Sequence, residues 1–232
     1  MAELVFIEGD SGSGKSSSIA SFQKDEVIIL NASGKRLPFK GAMNVLNLRR
    51  IDFLKAYDKI KSALKVNHDK YKAFIIDDAD YLMSFEFFDT NVTGYQKFTD
   101  IGGHFKNLLD YIQREIPDDV IVYIMLHLEA KDTGKFGGKT VGKMLDEKLC
   151  IEGLSSIVIT TYVQDGSYYF KVHGDGTDMT KTPAGMFDQP LIPNDLKLVD
   201  SAIRVYWGIE PLKPAPRKQE AQRIDQSVKE PA

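Results

Sequence analysis

Gly9-Asp10-Ser11-Gly12-Ser13-Gly14-Lys15-Ser16 fits the pattern G-x-x-x-x-G-K-[ST]. Its glycines remove the side chains that would stop backbone N–H groups from turning inward around an anion. Lys15 brings a point charge suited to β- and γ-phosphates, and the Ser16 hydroxyl suits Mg²⁺. The surroundings agree with this reading. Leu4-Val5-Phe6-Ile7 reads as a buried strand entering the loop, and Ser16 to Phe22 as a short helix leaving it. A helix N-terminus there adds its partial positive charge to the phosphate site. Gly9, Asp10, Ser11, Gly12, Ser13, Gly14, Lys15, Ser16 and Ser17 are therefore the nucleotide-binding candidates, with Lys15 also catalytic. A flexible Gly/Ser loop matching by accident would lack the strand-then-helix frame.

A second apolar strand ends in acids: Ala73-Phe74-Ile75-Ile76-Asp77-Asp78. Behind a phosphate loop, such a carboxylate is placed to hold Mg²⁺. Asp77 and Ser16 are the metal candidates. Asp78 is the candidate for orienting the attacking water, ahead of Asp80. A strand ending in a solvated acidic turn is the plainer alternative. Val120 to Leu128 is a third apolar strand, and it stops at His127 and Glu129. A polar group at that tip can touch a γ-phosphate, so His127 is the sensor candidate.

Composition sets the class. The chain has 232 residues, 43% hydrophobic and 27% charged, enough for one α/β domain with a sizeable core. A formal net charge of −3 excludes a wholesale basic nucleic-acid binder, so any such site must be a local patch. No apolar run reaches the length of a membrane span. With no secretory leader evident and Cys150 as the single cysteine, a cytoplasmic location is expected. The four histidines show no metal-ligand spacing.

The remaining segments complete the pattern. Glu26 to Asn31 reads as a strand, Ala32 to Gly41 as a loop, Met43 to Leu48 as a short strand, and Ile51 to Val66 as a helix with Ile51, Leu54, Tyr57, Ile60 and Leu64 inward. Tyr81 to Gly103 reads as a long connection rich in aromatics: Phe85, Phe87, Phe88, Tyr95 and Phe98. Phe105 to Ile116 reads as a helix. Ala130 to Gly142 reads as a Gly-rich loop carrying Lys131, Lys135 and Lys139, with Lys143 just beyond and Asp132 its single acid. Ser156 to Val163 and Ser167 to His173 alternate around Asp165-Gly166, which predicts a hairpin with a type I′ turn. Asn194 is the expected cap of a helix reaching Tyr206. Residues 1–208 read as one domain, and 209–232, rich in proline and charge, as a disordered tail.

Strands alternating with helices predict a mainly parallel sheet flanked by helices, with the hairpin added antiparallel. The phosphate loop, Phe74 to Asp78 and Met125-Leu126-His127 together resemble a RecA-like P-loop ATPase core. The chain is most similar to small phage-type ATP-binding proteins of replication and recombination; Thr140 to Leu145 and Ile192 to Leu196 share in the likeness. The resemblance implies ATP and Mg²⁺ as cofactors and single-stranded DNA as partner. It also implies a homo-oligomeric ring or filament, a replication or recombination protein as further partner, and the host cytoplasm if the gene is a phage one. Two DNA loops are implied, Ser84 to Gly103 and Ala130 to Lys143. Phe88 and Tyr95 would stack on bases, and Lys131, Lys135 and Lys139 would follow phosphates. Such cores keep a catalytic glutamate at the end of the strand beside the P-loop strand. Here the expected position holds Asn31, which shifts the role to Asp78.

Other functions compete. A small-molecule kinase needs an arginine-rich lid, and the Gly-rich loop offers lysines alone. A GTP switch needs an N-K-x-D motif, which is missing. A nucleotide-gated adaptor working through its C-terminal tail stays open. Lys15 is the only basic residue the phosphate loop itself supplies, so a second cation, Lys139 or Lys143, is expected from a neighbouring copy.

Overall fold

The computed structural model describes residues 1–49 and 51–212. The expected tail falls, from residue 213 on, outside the described residues. The strands are β1 (Glu3–Glu8), β2 (Val27–Asn31), β3 (Asn44–Asn47), β4 (Ala73–Asp77), β5 (Ile121–Leu126), β6 (Leu128–Ala130), β7 (Phe136–Gly138), β8 (Ile157–Gln164), β9 (Ser167–Lys171) and β10 (Leu191–Pro193). The α-helices are α1 (Phe53–Asn67), α2 (Asp80–Asp89), α3 (Gly94–Glu115), α4 (Lys143–Lys148) and α5 (Leu196–Trp207). Eight strands form one sheet in the order β10-β9-β8-β1-β5-β4-β2-β3, and β6 and β7 pair separately. The six strands from β8 to β3 are parallel; β9 and β10 run antiparallel at one edge.

The period-2 rule explains both faces. Leu4 and Phe6 of β1 pack into one apolar cluster with α1, α2 and α3, while Val5 and Ile7 pack into another with α5 and the turn after the phosphate loop. Each of these fully buried side chains contributes about 2 kcal/mol. Because helices cover both faces, β5 carries no charged residue, β1 is apolar between Glu3 and Glu8, and β4 is apolar up to Asp77. Arg204 is buried in α5, pairs with Asp200 at 2.6 Å and donates to the Lys72 carbonyl at 2.7 Å. It thus ties α5 to the start of β4.

The Asp165-Gly166 hairpin forms as expected: both residues have positive φ, 51° and 75°, as a type I′ turn requires. Other expectations need correction. Tyr81 to Gly103 is not a long connection. It is α2 and the first half of α3, joined by the short link 90–93. Aromatic and glycine residues have modest helix propensity, but Leu82, Met83, Glu86 and Ile101 are buried at helical spacing, and packing overrides propensity. Leu54 faces outward on α1, and Ala56 takes an inward place. Ser16–Ser21 is a 3₁₀ turn. The Val120–Leu128 run breaks at His127 into β5 and β6, and the Gly-rich loop is the β6–β7 hairpin. Asp195, not Asn194, caps α5, accepting from the Lys197 and Leu198 amides. Finally, β2 pairs with β3 and β4, so Asn31 is not beside the P-loop strand; β5 and β8 are.

Candidate nucleotide site

The carboxyl ends of β1, β4 and β5 converge on the phosphate loop, where an open α/β sheet places its ligands. Two glycines there have no substitute. A Cβ on Gly9 would stand 1.7 Å from Thr161 Oγ1, and Gly14 sits at φ +100°. Thr161, in β8, braces the loop by placing its Oγ1 2.6 Å from Ser13 Oγ. Lys15 is buried and donates to the Gly9 and Asp10 carbonyls at 2.6 and 2.9 Å. Burial lowers its pKa, while Asp78, Asp80 and Asp77 work in the opposite sense.

Ser16 Oγ donates to Asp77 Oδ1 at 2.9 Å, so the two expected metal ligands are already adjacent. Burial, and then the Asp78 carboxylate, raise the Asp77 pKa to about 6. Two oxygen donors beside a phosphate cradle fit Mg²⁺, which takes few protein ligands and completes its shell with water and phosphate oxygens. Asp77 and Ser16 would hold it there, and the ion would supply charge compensation to the phosphates.

Asp78 leaves the strand at φ 55°, a left-handed conformation that costs an aspartate less than most residues. That turn aims its carboxyl back over the site. Burial would raise its pKa, but the Lys35 ammonium, the Ser33 hydroxyl and His127 bring it below the usual carboxylate range. Lys35 Nζ lies 2.7 Å from Asp78 Oδ2. His127 Nδ1 faces Asp80 Oδ1 at 3.0 Å, and the His127 backbone N–H donates to the same oxygen at 3.2 Å. A carboxylate opposite Nδ1 places the proton there. Nε2 is then left toward the site, 3.8 Å from Asp78 Oδ1. Asp80 therefore positions His127.

A cavity of about 240 Å³ collects these groups. Its walls include Lys15, Ser16, Asp77, Asp78 and His127, as the sequence suggests, and also Lys35, Arg36 and Tyr168. The last three were not legible as site residues. Lys35 and Arg36 sit in a loop after β2 with no motif of its own, and Tyr168 belongs to the β8–β9 hairpin. The one available signal was a pair of basic residues following a strand that ends near the acids. Their presence removes the premise that a second cation must come from another copy.

The lysines expected for DNA divide. Lys131 is not available: its side chain is 7% exposed and pairs with Glu129 and Asp146, each at 2.9 Å. Lys135 and Lys139 are exposed around the half-exposed Phe136 in the β6–β7 hairpin. The side chain of Lys143 lies outside the described residues. Phe88 and Tyr95 are 79% and 75% exposed, on α2 and α3 rather than on a loop. Phe85 is occupied by the Arg49 guanidinium at 3.9 Å, and Phe98 packs against Gly142.

Among the described residues no helix is long and apolar enough to cross a membrane. Comparison with protein-family models finds no match, and comparison with curated proteins finds none either.

Proposed function

We propose that this chain is a Mg²⁺-dependent ATPase with a RecA-like core that acts on single-stranded DNA in recombination, annealing or replication. The observation that carries the reading is the Ser16–Asp77 hydrogen bond, at 2.9 Å, between a complete phosphate loop and the acidic end of β4. The order β1-β5-β4 supports it. The strand β5, followed directly by His127, lies between the loop strand and the acidic strand, where a γ-phosphate contact is needed. Ser16 and Asp77 would hold the metal, Lys15 the phosphates, Asp78 would orient the attacking water, and His127 would meet the terminal phosphate. Self-association and a replication or recombination partner remain part of this reading.

The DNA surface combines the β6–β7 hairpin, through Lys135, Phe136 and Lys139, with the exposed rings of Phe88 and Tyr95. Each stacked base adds about 1–3 kcal/mol. The test is phosphate release from ATP with and without single-stranded DNA, together with the salt dependence of DNA binding. Replacing Lys135 and Lys139 by alanine should flatten the log–log salt slope by roughly 1.4 and leave ATP affinity unchanged. An unaltered DNA affinity would move the site elsewhere. A lack of DNA binding by the wild type in the presence of ATP would favour the adaptor.

Arg36 in the cavity wall gives the phosphotransferase reading one specific support, since such enzymes use arginine on the transferred group. Phosphate released from ATP without any acceptor separates the two.

A further inference from the structure

Resting on the nucleotide reading above, we infer that Lys35 is the residue that distinguishes a nucleoside triphosphate from a diphosphate. Its ammonium exchanges the Asp78 carboxylate for the terminal phosphate.

Lys15 and Lys35 share one cavity and differ in freedom. Lys15 is buried and bonded to two loop carbonyls. It is built into the cradle, so it meets the β-phosphate of either nucleotide whether or not a terminal phosphate follows. Lys35 has a side chain 59% exposed, and its one ion-pair partner among the described residues is Asp78. Asp78 Oδ2 is buried and meets the Lys35 ammonium at 2.7 Å, so the pair joins a fixed carboxylate to a side chain that is largely in solvent. An ammonium on a flexible stem can leave such a partner for a stronger anion nearby.

The backbone under Lys35 is fixed. Asn31 Nδ2 donates to the Lys35 carbonyl at 2.7 Å, and Asn31 Oδ1 accepts from the Gly34 amide at 2.7 Å. Asn31 ends β2, which two strands separate from β1, and thereby positions the loop that reaches over the acidic end of β4. The lysine can move at its tip while its root stays registered to the sheet. A terminal phosphate would otherwise meet Asp78 with like charge. With Lys35 moved to the phosphate, that repulsion is offset and Asp78 is released toward the pocket.

Binding of Mg-ATP and Mg-ADP to the full chain, measured by calorimetry, tests this without turnover. Lys35→Met should weaken ATP binding roughly tenfold or more and leave ADP within about twofold. Lys35→Arg should keep most of the preference. Asp78→Asn, tolerated at a left-handed position, should strengthen ATP binding about threefold by freeing Lys35, and this gain should vanish in the Lys35→Met background. Equal losses for both nucleotides in Lys35→Met would overturn the assignment. So would a gain from Asp78→Asn that persists without Lys35. If Lys15→Ala loses both nucleotides while Lys35→Met keeps the wild-type preference, the site stands and the assignment to Lys35 falls. If the wild type binds neither nucleotide, the nucleotide reading itself falls.

Discussion

The carboxyl end of β1 separates two clusters of charge that obey opposite rules. Past Gly9, the candidate nucleotide site sets Lys15, Lys35 and Arg36 against Asp77, Asp78 and Asp80, open to solvent through a cavity. Behind it, Glu8 is fully buried beside Glu152, and Glu129 and Asp146 share one lysine, Lys131. Counted along the chain, the contrast runs the other way: the phosphate loop offers one cation and the hairpin segment several lysines. Linear charge counts fail here because a side chain's partner is set by which strand ends meet. Lys131 is drawn under its hairpin by acids from β6 and α4, while Lys35 crosses from the β2 loop to the end of β4. The first cluster keeps its cations reachable by a ligand; the second spends its cation holding the fold together.

Four tests, built on six substitutions, probe that contrast in descending order of effect. Lys15→Ala should remove nucleotide binding and lower phosphate release by about a thousandfold, near 4 kcal/mol, with the fold intact by circular dichroism. Unchanged turnover would end the claim that the first cluster is a phosphate site. Lys131→Met strands several acids around one gap and should cost roughly 3 kcal/mol of stability in urea denaturation. Lys135→Met, on the same hairpin but exposed, should stay within about 0.5 kcal/mol. Similar losses for both lysines would dissolve the difference between buried and surface charge.

His127→Ala should lower turnover by about 2 kcal/mol in transition-state terms while leaving nucleotide affinity near wild type. Asp80→Asn should reproduce part of that loss, because an amide opposite Nδ1 no longer fixes the ring's proton. Full activity in both variants would remove His127 from the reaction and leave it a structural link between β5 and α2.

The smallest effect concerns Glu8. Burial, and then the Glu152 carboxylate, push its carboxyl well above the usual range, and no donor in hydrogen-bond geometry meets its oxygens. Burial therefore favours the neutral form of the Glu8 carboxyl. With the folded value above the unfolded one, near 4.5, this group's stabilising contribution is full below that value. It is lost as pH rises through the folded value. Glu8→Gln keeps a donor toward Glu152 without titrating. It should stabilise the protein by about 1 kcal/mol near pH 8 and by less near pH 5, read from denaturation at both. The same difference at both values would show that Glu8 does not carry this pH dependence.

Short-range rules in the chain sufficed for several features. The phosphate loop, the acidic end of β4, the tip at His127 and the Asp165-Gly166 turn each depend on neighbours within a few residues. Backbone sterics, alternation and turn chemistry act at that range, so these were legible. The tertiary structure alone decided the rest. It placed β5 and β8 beside β1, and β2 farther off, which moved Asn31 from a catalytic position to the support of a loop. It turned the aromatic stretch into α2 and α3, because burial against the sheet outweighs weak helix propensity. It brought Lys35 and Arg36 to the site and took Lys131 away. Each of those outcomes joins residues far apart in the chain, and the energy that selects them, burial and charge pairing across the sheet, exists only once the strands are in order.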